Sequence, residues 1–137
     1  MIKLQKEEID ILDILERIKN PESGGIVTFL GTVRENSKDH VVSKMEIEVY
    51  EDMALRQLEA IRSEAKEKFD VHEINIVHRY GELDVQDNIV FIAVAARHRK
   101  GAFDACIFVI NELKKRVPIW KKEITHEGNF WVDEKNE

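Results

Sequence analysis

NIVFIAVAARHRKGAFDACIFVINELKKRVP, residues 88–118, decides the fold. Its first part, Asn88 to Ala96, is a nearly continuous apolar run and reads as a strand buried on both faces. From Gly101 to Val117 the pattern changes to a helical period, which Pro118 closes. At about 100° per residue, Phe103, Cys106, Ile107, Ile110, Leu113 and Val117 share one apolar stripe. Asp104, Asn111, Glu112, Lys115 and Arg116 lie opposite. Lys114 falls inside the stripe, between Ile107 and Ile110 in azimuth. A lysine there snorkels past the helix end, pairs with an anion or lines a cavity.

Outward from this unit, turn residues divide the rest of the chain. Ile2 to Leu4 can form a short strand. Glu7 to Lys19 reads as a helix with Ile9, Leu12, Leu15 and Ile18 as its spine, ended by Asn20-Pro21. Gly24-Gly25 opens a strand from Ile26 to Arg34. Both its faces are largely apolar, which predicts a central strand, and Gly31 within it predicts a bulge or a close backbone approach. Glu35 to His40 is a charged loop, and Ser43 to Tyr50 alternates as a half-exposed strand. Asp52 is suited to cap a helix running to about Phe69, with Leu55, Leu58, Ile61, Ala65 and Phe69 inward. Glu73 to Tyr80 is a strand, Gly81 and Asp84 to Asp87 are turns, and Ile119 to Thr125 and Phe130 to Val132 are the last strands. The order α, β, β, α, β, β, α, β, β predicts one α+β domain over residues 1–137 with a largely antiparallel sheet.

The composition, with 43% hydrophobic and 35% charged residues, is that of an ordinary globular protein. No run is long enough to span a bilayer, and MIKLQKEEID lacks a signal-peptide core, so a cytoplasmic protein is expected. Cys106 is the only cysteine, which excludes an internal disulfide and a multi-cysteine metal site. Its place on the apolar stripe makes it a packed small hydrophobe. Charge is segregated along the chain. From Arg97 to Lys122 eight basic residues face two acidic ones, a net of +6 on a chain of −6. Such a basin on an acidic protein suits a small anionic ligand or an acidic peptide tail and argues against general nucleic-acid binding.

Several side chains can carry chemistry. His98, between two arginines at the end of the buried strand, is either a neutral base or donor at a site or a solvated strand-end histidine. Arg34 either offers its planar fork to a phosphate or simply reaches water. Lys121 and Glu123 share one side of their strand, so they can pair, while Lys122 points away. Pro118 turns the chain between Lys114 and Lys121, which can bring the two ammonium groups together. His40, His72 and His126 read as surface residues, His78 as a sheet residue, and the histidines have no metal-ligand spacing. No GxSxG, Walker loop or GxGxxG is present. The sequence supplies cations and no evident nucleophile.

Five segments carry a family resemblance: GGIVTFLGTVR (24–34), HRYGEL (78–83), AARHRKGAF (95–103), LKKRVPIWKKE (113–123) and EGNFWV (127–132). Together they resemble the large, catalytic subunit of molybdopterin synthase. The resemblance implies an α/β hammerhead fold with an added antiparallel subdomain. It implies sulfur transfer to cyclic pyranopterin monophosphate, giving the dithiolene of molybdopterin, with no cofactor and no metal. The sulfur would arrive as a thiocarboxylate on the C-terminal Gly-Gly tail of a ubiquitin-like small subunit. Lys114 and Lys121 match the family's catalytic lysines. Arg34, His98 and Arg99 match its substrate-binding residues. A homodimer with a small subunit at each end is the implied assembly. The alternative is a non-catalytic module that grips a ubiquitin-like tail or a small anion.

Overall fold

A computed structural model describes residues 1–37 and 40–132 of the chain. The elements run β1 (Ile2–Gln5), α1 (Ile11–Ile18), β2 (Gly25–Thr32), β3 (Asn36–Ser37), β4 (His40–Val49), α2 (Glu51–Lys68), β5 (Glu73–Arg79), β6 (Gly81–Asp84), β7 (Asn88–Ala96), α3 (Arg99–Arg116), β8 (Ile119–Thr125) and β9 (Gly128–Trp131).

The apolar run at 88–96 is β7, and it is buried as its composition predicts. It sits inside a four-stranded sheet of order β1-β5-β7-β2, in which only the β1–β5 pair is parallel. Helices cover both faces of this sheet, which is why β7 shows no polar alternation. Val90, Ile92, Val94 and Ala96 pack with Ala54, Leu58, Ile61 and Ala65 of α2 and Ala102, Ala105, Val109 and Leu113 of α3. Phe91, Ala93 and Ala95 pack on the other face with Ile14 and Ile18 of α1. The second sheet is antiparallel, in order β3-β4-β8-β9, with β6 also paired to β4. A helix-covered sheet joined to a separate antiparallel sheet is the architecture the sequence implies.

Several elements differ from their sequence reading. β2 lies at the edge of its sheet, not at the centre. Its apolar Phe29 and Leu30 are only partly covered, so two-sided apolar character here marks a surface and a pocket wall. Residues 36–37 pair with the start of β4, so part of the expected loop is a strand, and Lys38 and Asp39 lie outside the described residues. Gly81, at φ +94°, makes the expected turn and also begins a strand, β6, that was not expected. Asp52 lies in the first turn of α2, whose cap is Tyr50, and Ala54 takes the inward place expected for Leu55. Helix α1 is capped by Asp10, whose carboxylate accepts from the Asp13 N–H, and Leu12 is 77% exposed.

Helix α3 is rotated from its predicted orientation. Its buried face is Ala102, Ala105, Cys106, Val109 and Leu113. Phe103 and Ile107 are 54% and 57% exposed. The small Ala102 and Ala105 allow close approach to the sheet, and hydrophobicity weighting by size overlooked them. The helix ends where expected, because Pro118 disfavours the helical region for Val117, which is extended.

Candidate functional site

A cavity of about 590 Å³ opens where the two sheets meet beside the last turns of α3. Its walls come from Phe29 to Thr32 and Arg34 on and after β2, Met45 on β4, and His78 on β5. Ile89 and Val90 on β7, Ile110, Leu113 and Lys114 on α3, and Lys121 and Glu123 on β8 complete them with Val132. Three cations therefore reach one concave space from three parts of the chain.

Each is positioned by its element. Lys114 stands in the last turn of α3, where the helix dipole favours a cation, with Ile110 and Leu113 beside it on the wall. Lining a cavity, one of the outcomes open to a lysine among apolar neighbours, is observed. Lys121 and Glu123 alternate with Lys122 along β8 and face β4 partners Ile47 and Met45. The Val132 N–H donates to the Lys121 carbonyl at 2.8 Å, which fixes the backbone of β8 at that point. Arg34 leaves a pinned segment. The Val33 N–H donates to the Asp87 carbonyl at 3.0 Å, the Val33 carbonyl accepts from Gln86 at 2.7 Å, and the Val33 side chain is buried. Gly31 has the structural role expected of it. The register shifts between Gly31 and Thr32, and a Cβ at Gly31 would meet Val90 Cγ1 at 2.8 Å.

The basic basin is smaller in space than along the chain. Lys100 pairs with Asp104 at 2.7 Å, Lys115 with Glu112 at 3.5 Å, Arg116 with Glu64 at 2.7 Å and Lys122 with Glu46 at 3.0 Å. These four compensate outer carboxylates, while Lys114 and Lys121 line the cavity. His98 and Arg99 stand at the opposite, N-terminal end of α3 and are exposed. Fifteen residues at a helical rise put Arg99 about 22 Å along the axis from Lys114. One chain thus brings together Arg34, Lys114 and Lys121, and does not bring His98 or Arg99 to them.

Two further residues stand on the wall: Glu123, weighed in the sequence only as a partner for Lys121, and His78, read only as a sheet residue. Glu123 is 6% exposed and His78 1% exposed. Burial and the nearby Lys121 charge lower the His78 pKa to about 4, against a smaller opposing effect of its bond to the Arg79 backbone. Parity was the available signal: His78 continues the face of Ile74 and Ile76 to the end of β5. Cys106 is buried in the main core, away from the cavity wall, and burial raises its thiol pKa to about 11. A thiol so placed is not a nucleophile at neutral pH.

Fold and site together define a class: an α+β protein with a cation-lined, half-apolar pocket where its two sheets meet. Comparison with known proteins narrows it. The model of the MoaE protein family matches residues 4–116. The molybdopterin synthase catalytic subunit of Pyrococcus abyssi is 42% identical over 127 residues, covering 93% of this chain and 86% of that protein. The subunit of the same name from Bacillus subtilis is 38% identical over 135 residues, covering 98% and 86%. The crystal structure of molybdopterin synthase from Staphylococcus aureus superposes with a TM-score of 0.90 at 38% identity, over 95% of each chain. The chain belongs to the MoaE protein family.

Proposed function

We infer that this chain is the catalytic subunit of a molybdopterin synthase, an enzyme that transfers sulfur from a thiocarboxylated ubiquitin-like small subunit to cyclic pyranopterin monophosphate. The observation that carries the reading is the cavity itself, with Arg34, Lys114 and Lys121 on its wall and the chain's only thiol buried elsewhere. Such a pocket suits chemistry whose nucleophile comes with a partner. Lys114 contacts the thiocarboxylate of the tail and stabilises charge developing at its acyl carbon. Lys121 serves as general acid or base at the pterin side chain during sulfur attack and phosphate opening. Arg34 binds the pterin phosphate through its planar fork. Phe29, Leu30, Met45, Ile110 and Val132 supply apolar wall for the ring system.

His98 and Arg99 belong to this site only if a second copy brings them, since one helix length separates them from Lys114. The exposed Phe103 and Ile107 on α3, together with the partly covered Leu30 on the edge strand β2, support a homodimer. Such a homodimer would form the core of an assembly with a small subunit on each pocket. No helix among the described residues is long and apolar enough to cross a membrane. A lone buried thiol suits the reducing cytoplasm, where we place the reaction. The test is reconstitution from purified components. Pterin substrate with the thiocarboxylated partner should give the dithiolene product, and binding of the tail without product would leave a non-catalytic tail-gripping module instead.

A further inference from the structure

His78 has no task in the mechanism above, yet it is a buried titratable group in the pocket wall. Its Nδ1 lies 2.7 Å from the Arg79 carbonyl oxygen. A carbonyl only accepts, so Nδ1 carries the ring hydrogen, and a neutral ring then leaves Nε2 as an acceptor. Burial keeps the ring neutral at physiological pH, and Lys121 is the charged group whose field acts on it most. The titratable groups around the cavity are Arg34 after β2, His78 on β5, Lys114 on α3, and Lys121 and Glu123 on β8. Among them two groups can accept from an ammonium: the Glu123 carboxylate and the His78 imidazole. Glu123 shares the face of Lys121 on β8, and the imidazole reaches the same cavity from β5. A neutral imidazole can orient an ammonium and leave its charge in place.

We propose that His78 is a positioning residue for sulfur transfer, its Nε2 accepting a hydrogen bond from the Lys121 ammonium and holding Nζ towards the substrate. The inference rests on the proposed role of Lys121. The Arg79 carbonyl fixes the tautomer, β5 fixes the ring, and the ring fixes the lysine. Such a relay resembles the way outer partners orient the working group at other polar sites.

The test uses two substitutions with opposite hydrogen-bonding logic, assayed with the complete two-subunit enzyme. His78→Asn keeps a donor for the Arg79 carbonyl and removes the acceptor at the Nε2 position. It should lower kcat by about 10- to 100-fold, the scale of a misplaced catalytic group. KM for the pterin should stay within about twofold, because binding rests on other cations. His78→Gln places an acceptor near the Nε2 position and should recover most of the turnover. Wild-type kcat in folded His78→Asn, with Lys121→Ala still inactive, would overturn the positioning role and leave the function standing. Absent turnover in wild type would instead sink the function. A second measurement does not depend on turnover or on a buried substitution. Imidazole nitrogen NMR should show His78 neutral with the hydrogen on Nδ1 across about pH 5 to 8. Its Nε2 resonance should shift in Lys121→Ala. An Nε2–H tautomer, or an Nε2 resonance indifferent to Lys121→Ala, overturns the proposal.

Discussion

Lys114 stands among apolar neighbours on the cavity wall, so its removal separates stability from function. Lys114→Ala shortens a half-buried side chain in the last turn of α3 and should leave the fold intact. Thermal unfolding checks this against the wild type. His78 gives the opposite pattern. Its folded pKa of about 4 lies below the ordinary 6.5, so between those values the unfolded chain binds the extra proton. Its contribution to stability is complete above about pH 6.5 and is lost as pH falls towards 4, on the order of 3 kcal/mol in all. Unfolding midpoints measured across that range should drop in the wild type. The drop should be shallower in His78→Asn, which has no ring to protonate; equal slopes would contradict this assignment. Cys106→Ser should retain sulfur transfer and lose modest stability, because a hydroxyl enters a packed face. Complete loss of activity in the folded variant would reinstate a cysteine mechanism.

Helix α3 shows what a one-dimensional reading catches and what it misses. Its existence, its stop at Pro118 and the odd placement of Lys114 were legible, since they depend on local period and backbone chemistry. Its rotation was not. Large apolar side chains drew the predicted stripe through Phe103 and Ile107, while the face that meets the sheet is set by Ala102, Ala105 and Val109. Edge or centre for β2 was likewise unreadable, because strand order is a non-local property. The ion pairs of Arg116 were equally hidden. Its guanidinium donates to both carboxylate oxygens of Glu64, at 2.7 and 3.1 Å, and to Gln57 at 3.3 Å, so it ties α3 to α2. Arg116→Ala should lower stability only modestly, because a solvent-exposed ion pair is screened by water. Chemical denaturation measures that cost, and turnover should stay at the wild-type level despite the loss of a charge beside Lys115.

At the scale of the whole molecule, the sequence segregates charge and the fold brings only part of that charge to the cavity. The cavity-lining lysines Lys114 and Lys121 were legible in the sequence because one breaks a pattern and the other follows a turn. His98 and Arg99 were singled out with them, although a single chain places them at the other end of α3. Only three dimensions reveal that separation. Partner binding should weaken as salt rises, because exposed steering charges are screened. The pocket contribution should survive salt better, so trimming the terminal glycines of the small subunit should weaken binding at both salt levels. Calorimetric titration of full-length and trimmed partner measures this. Identical affinities would show that the cavity does not receive the tail.

If Lys114 and Lys121 carry sulfur transfer as proposed, particular cations in the cavity matter and the basic character of the segment does not. The direct measurement is single-turnover dithiolene formation by four folded variants beside the wild type. Lys114→Ala and Lys121→Ala should each lose about 10²- to 10³-fold in rate, the usual cost of removing a preorganised charge-stabilising group. Lys115→Ala and Lys122→Ala, whose side chains pair with Glu112 and Glu46, should stay near the wild-type rate. Equal losses at all four positions, or near wild-type rates at the first two, would contradict the account.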